Sequence, residues 1–356
     1  MNNYLSEKFK VISFLAMILV VVLHSYNAVV KSLAGNIVLT KGYSLFIQNF
    51  FSQGVSRIAV PLFFAISGYL FFLNINGNVS EFFTKIKKRI RTLVVPYLFW
   101  SLWALGVYFA LQCIPQSKPF FTNNLIKDYT PSQLLYTVFI DPIAYQLWFI
   151  RELLIILLLS PVIYWLLRYL KWSIVMVCII LWYLNVNYIF VYNEAVMSFV
   201  LGGFFSVDQR RLLLNDFSSK GFFYFFIWIS ILLCKTILMH LGAHTDDILI
   251  DLLHKTGILT GIVAVWSMYD TLLKKQDLTT SRMYSILPFS FFLYAFHEPI
   301  LVIFKKGLFY LIGKGEMASL LIYIIAPLVT ILLSLFIGFN LKRFLPKVYA
   351  VITGGR

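Results

Sequence analysis

Charged residues are scarce in this chain. They make up 13% of its 356 residues, and only 15 are acidic against 30 basic. A soluble domain carries about a quarter charged residues, so a water-facing surface over this length is excluded. Cysteine is equally sparse. Cys113, Cys178 and Cys234 lie in or beside apolar runs with no CxxC spacing, which supports neither a disulfide framework nor a cysteine zinc site. The sequence shows no low-complexity tract or internal repeat, and no appended soluble domain is expected. Residues 1–356 are therefore expected to form a single membrane domain with a core of about 8–345. No small-residue cleavage site follows the first apolar run, so that run is expected to be a retained helix.

What the chain has instead is apolar surface. Hydrophobic residues make up 60% and aromatic residues 18%, and the mean hydropathy is +0.83. This composition specifies an all-α, polytopic membrane bundle whose Phe and Tyr suit lipid-facing and interfacial positions. Apolar windows predict about ten spans, at 9–30, 58–74, 93–113, 147–169, 172–191, 194–207, 221–241, 249–270, 285–306 and 319–342. The net charge of +15 sits in short loops, where topology and anionic lipid headgroups account for it without nucleic acid. With both termini inside, roughly 19 basic residues fall on the cytoplasmic side, including Lys85, Lys87, Lys88, Arg89 and Arg91. About 8 fall outside: Lys31, Lys41, Arg57, Lys118, Lys127, Lys305, Lys306 and Lys314.

Ionisable residues inside the spans mark candidate function, because a charge facing lipid is costly. On this topology His24, Arg57, Arg151, Glu152, Glu194, Asp251, His254, Lys255, His297 and Glu298 share one outer-side layer. A water-filled cavity for proton transfer or substrate binding is one reading. An ion-paired network that locks helices together is the other. Pro299 removes a backbone donor opposite Ala295 and predicts a kink beside His297. Ser67 and Gly68 allow close approach of a neighbouring helix or a ligand. The run Lys85 to Arg91 satisfies the positive-inside rule, and its guanidinium and ammonium groups also suit a phosphate.

Five segments in order resemble acyltransferase family 3. They are the histidine near the outer end of the first span, Pro61-Leu62-Phe63-Phe64-Ala65-Ile66-Ser67-Gly68, Pro96-Tyr97-Leu98-Phe99-Trp100, Leu147-Trp148-Phe149-Ile150-Arg151-Glu152, and Phe292-Leu293-Tyr294-Ala295-Phe296-His297-Glu298-Pro299. The resemblance implies a ten-helix bundle in the bacterial cell membrane. It would move an acyl group, often acetyl from cytosolic acetyl-CoA, to a hydroxyl of a carbohydrate or lipid-linked glycan. It also implies that His24 is the catalytic residue. The family's arginine eleven positions earlier is Ser13 here, and Lys10, one turn away, could supply that cation.

A sugar hydroxyl is a poor nucleophile near neutral pH, so a base must take its proton during attack on the thioester. His24 is expected to be that base, with Glu152 orienting it and His297 holding the acceptor or carrying a second proton. Arg57 or Arg151 is expected to stabilise the oxyanion. Ser67, His254 and Glu298 are further substrate-binding candidates, and Lys10, Lys88, Arg89 and Arg91 are candidates for the acyl-CoA. No metal is expected. The alternative is a transporter of polysaccharide or of a small polar solute built on the same bundle.

Overall fold

The computed structural model describes residues 2–30, 37–39, 41–115, 117, 121, 124–186, 188, 191–274, 276, 281–313 and 315–355. Of the basic residues used to orient the chain, Lys31, Lys118, Lys275, Lys314 and Arg356 lie outside these. The described chain is helical: α1 (Asn3–Ser25), α2 (Tyr43–Phe51), α3 (Ala59–Phe72), α4 (Val79–Cys113), α5 (Pro131–Phe139), α6 (Trp148–Leu158), α7 (Ser160–Leu170) and α8 (Trp172–Tyr183). There follow α9 (Asn193–Val207), α10 (Gly221–His240), α11 (Ile248–Leu273), α12 (Arg282–Ile286), α13 (Ser290–Ile312), α14 (Glu316–Phe344) and α15 (Pro346–Ile352). A two-residue antiparallel pairing, Val29 with Val38 and Val30 with Ile37, is the only β-structure among the described residues.

Seven apolar helical runs among the described residues are long enough to cross a membrane. An eighth counts if the bent pair Tyr145–Leu158 and Ser160–Leu170 is one span. This is an integral membrane protein, and the described residues give seven or eight full-length spans beside the ten apolar windows. The difference has local causes. Windows 172–191 and 194–207 hold helices of 12 and 15 residues, or about 18 and 22 Å against a hydrocarbon core of ~30 Å. Asn185, at φ 56°, ends the first of them. Window 147–169 bends by 63°, where Pro161 sits in the first turn of α7. The segment 31–57, read as an outer loop, is helical over Tyr43–Phe51, within an apolar run of 30 residues, Tyr43–Phe72.

The chain divides into two compact units, one of Met1–Ala16, Gly54–Ile90 and Glu152–Pro288, the other of Met17–Gln53, Arg91–Arg151 and Phe289–Arg356. In the first, α3 packs on α9 at backbone contact. A Cβ on Gly202 would fall 1.8 Å from the Ala65 carbonyl oxygen, and one on Gly68 would fall 2.1 Å from that of Phe199, so only glycine admits this approach. Thus Gly68 serves helix packing. Helices α10 and α11 form a second pair in this unit. One of its buried cations, Lys8, pairs with Asp270 at 2.5 Å with both side chains fully enclosed, and is seated 3.8 Å from the centre of the Trp266 ring. Tyr4 also donates to Asp270. Lys85 caps α3 by donating to the carbonyls of Phe71 and Leu73.

In the second unit α13 lies against α14, and α14 also meets α2 and α15. Apolar contact is supplemented by a closed amide and hydroxyl network. Gln48 donates to Asn27 at 3.0 Å and to the Ser319 hydroxyl at 2.9 Å, while Ser319 donates to Asn27 at 2.6 Å. Buried polar groups satisfied in this way fix helix register with no orphaned donor. Trp100 donates to the Ile352 carbonyl at 2.9 Å and meets Phe292 edge to face. That ties the C-terminal helix to α4.

Candidate active site

The last turn of α1 presents carbonyls that the helix cannot satisfy. Ser25 and Ser52 donate to the Val22 carbonyl at 2.7 and 2.8 Å. Lys305 donates to the His24 carbonyl at 2.5 Å. The helix end carrying His24 is thereby held from two sides within the second unit.

The opposing wall is α13, which breaks where its sequence demands. Glu298 is extended, at φ −106° and ψ 134°, as the residue before a proline prefers. Pro299 has no N–H to offer the Ala295 carbonyl, and Gln146 donates there instead at 3.4 Å. The carbonyl of Tyr294 accepts from Nδ1 of His297 at 2.6 Å. The break thus frees carbonyls that side chains then occupy.

This geometry sets the tautomers. A carbonyl oxygen only accepts, so Nδ1 of His297 carries a proton. In neutral His297 the lone pair is then on Nε2, which faces Nδ1 of His24 at 2.9 Å. Nδ1 of His24 donates across that gap, and the lone pair of His24 is carried on Nε2. The rings lie 5.1 Å apart at 29°. The Tyr145 ring meets His24 at 4.7 Å, tilted by 50°, and its hydroxyl donates to Glu298 at 3.3 Å. His297 and Glu298 are buried, at 0% and 2% exposure, whereas His24 is half-buried. An imidazole fixed with its lone pair on Nε2 is in the tautomer that a general base requires.

One atom each from His24, His297 and Glu298 lie within 4.8 Å of one another, a set that could ligate a cation. The 2.9 Å between the two nitrogens is a hydrogen-bond distance, shorter than the about 3.3 Å that separates two nitrogens on tetrahedral zinc. The arrangement in place is a hydrogen-bonded pair.

The other sequence candidates fall as follows. Glu152 is buried and accepts from the Tyr192 backbone N–H at 3.1 Å. Arg151 donates to the Ile140 carbonyl at 2.5 Å. Arg57, in a 3₁₀ turn of the first unit, lies within electrostatic reach of Glu194, Lys235 and His254. His254 accepts on Nδ1 from Lys235 at 3.1 Å. Lys255 pairs with Asp251 at 2.5 Å, and Asn185 bridges both, which fits the helix-locking reading of that pair. Ser67 is half-buried on α3. Lys10 is exposed and donates to the Tyr284 hydroxyl at 3.0 Å. Lys88 and Arg91 are exposed on α4, with Arg89 half-buried between them.

Three residues at these sites escape sequence reasoning. Tyr145 looks like one of many interfacial aromatics, and Lys305 like a topology charge. Lys235 carried a signal, a lysine in the middle of an apolar run.

The apolar helices define an integral membrane protein, with a half-buried histidine hydrogen-bonded to a fully buried one. The acyltransferase domain family matches residues 9–339, and the chain belongs to that family, whose members are acyltransferases. It is also 24% identical over 318 residues to the succinoglycan biosynthesis protein ExoH of Rhizobium meliloti (strain 1021), covering 86% of this chain and 81% of that one. No solved structure matches the chain.

Proposed function

We propose that this membrane acyltransferase moves an acetyl group from cytosolic acetyl-CoA to a hydroxyl of an exported or cell-surface polysaccharide in a bacterial cytoplasmic membrane, with His24 as general base. The family match and the relative named for succinoglycan biosynthesis support the acyl transfer and the polysaccharide acceptor. The observation that carries the base assignment is the chain from the Tyr294 carbonyl through His297 to His24.

In the reaction, the acceptor hydroxyl attacks the thioester carbonyl as its proton passes to Nε2 of His24. His297 holds the imidazole in the required tautomer, the part a carboxylate plays in other acyl-transfer sites. Tyr145 keeps Glu298 in place behind the pair. Collapse of the tetrahedral intermediate expels the thiolate, which recovers the proton from His24 and leaves as CoA.

The donor nucleotide is assigned to the cations of α4, exposed Lys88 and Arg91 and half-buried Arg89, whose charges suit a diphosphate. Helix α4 has 35 residues, about 52 Å long against a ~30 Å core, so its basic turns extend beyond the hydrocarbon. The pantetheine arm would then thread toward His24. Purified protein given acetyl-CoA and alkali-treated exopolysaccharide is expected to release free CoA, and His24→Ala, still folded, to release none. Full turnover by that variant would remove His24 from the chemistry.

A further inference from the structure

We propose that the ammonium of Lys305 is the cation that stabilises the oxyanion formed on the acyl carbonyl. This role rests on the acyl-transfer reading above and adds a catalytic residue to it. Lys305 lies two turns beyond Glu298 on the second half of α13, and its Nζ reaches the carbonyl of His24 at 2.5 Å. An ammonium has three donors, and the His24 carbonyl accounts for one of them. Glu298 lies within electrostatic reach.

Exposure separates these groups by task. His297 and Glu298 are enclosed, whereas His24 and Lys305 are only half-buried. The part of the cluster that is not fully enclosed therefore joins a base to a cation held on that residue's own carbonyl. As the hydroxyl oxygen forms its bond to the acyl carbon, the proton moves to Nε2 of His24 and the carbonyl electron pair moves onto oxygen. One positive and one negative charge appear together. The buried carboxylate of Glu298 is suited to the imidazolium and the ammonium of Lys305 to the oxyanion, which disfavours neither partner in a low-dielectric site. When the C–S bond breaks, its electron pair leaves with sulfur, the oxyanion returns to a carbonyl, and the thiolate takes the proton from His24.

The bland role for Lys305 is a helix cap on α1, and the test must separate the two. Lys305→Gln keeps an N–H for the His24 carbonyl and removes the charge, while Lys305→Arg keeps both. With acetyl-CoA and alkali-treated exopolysaccharide, Lys305→Gln is expected to lower kcat by about 100-fold, the usual cost of one oxyanion donor. The KM for acetyl-CoA and the melting temperature should stay near wild type, and Lys305→Arg should recover most of kcat. A Lys305→Gln protein as fast as wild type overturns the assignment. So does a slow Lys305→Arg protein that melts like wild type, since a cap and a charge would both be in place. Wild-type protein that releases no CoA overturns the acyl-transfer reading itself, and the role of Lys305 with it.

Discussion

Replacing His297 probes the tautomer lock on His24 directly. In His297→Leu the lone-pair partner of His24 Nδ1 at 2.9 Å is lost, and so is the donor to the Tyr294 carbonyl at 2.6 Å. The orphaned buried carbonyl costs about 1–3 kcal/mol of stability, a lowered melting temperature short of unfolding. The catalytic loss is separate. Without an acceptor at Nδ1, His24 samples the tautomer that carries its proton on Nε2 and is no base. Loss of orientation and tautomer control in histidine-based acyl transfer is worth about 100-fold or more. His297→Gln is the informative control. Its amide oxygen can accept from His24 while its NH₂ donates to Tyr294, so turnover within about tenfold of wild type is expected. The assay is CoA release at saturating acetyl-CoA, beside a melting curve for each variant. Equal kcat for His297→Leu and wild type would refute the reasoning, as would a Gln variant no better than Leu.

Other outcomes follow from packing and charge. Gly202→Ala would drive a methyl to 1.8 Å from the Ala65 carbonyl oxygen, and thermal denaturation should show a loss of about 1–3 kcal/mol. Gly106→Ala on α4, with open space around it, should be neutral or stabilising. Lys8→Met leaves Asp270 uncompensated in a fully enclosed pair. It should cost about 3–5 kcal/mol, and the double variant Lys8→Met/Asp270→Leu should recover much of that. Neutralising Lys88 and Arg91 together should raise the KM for acetyl-CoA with kcat little changed, and an unchanged KM would move the nucleotide elsewhere.

Much of this architecture is legible in the sequence, because a bilayer demands runs of about twenty apolar residues and tolerates an imidazole only where it has company. His24 and the Pro299 break are readable for those reasons. The pairing of His24 with His297 is not, since 273 residues separate them and no local pattern encodes which helices meet. Hydropathy also cannot tell a full-length span from a shorter apolar helix such as α8 or α9. Likewise, the positive-inside rule explains Lys305 and Lys85 too easily. Both basic side chains instead cap helix ends with their ammonium groups. Glu152 reads as a partner for an imidazole because carboxylates often are, whereas its contact with a backbone N–H near the start of α9 is one that no sequence pattern encodes.

On the proposed reaction, His24 is the general base for transfer of an acetyl group from acetyl-CoA to a polysaccharide hydroxyl. Mass spectrometry of the surface polysaccharide from cells carrying wild-type protein, the His24→Ala variant at equal membrane abundance, or no protein tests it most directly. The account predicts one acetyl increment per modified residue with wild type and none in the other two. An acetylated polysaccharide from the His24→Ala cells, with none from cells lacking the protein, would contradict it.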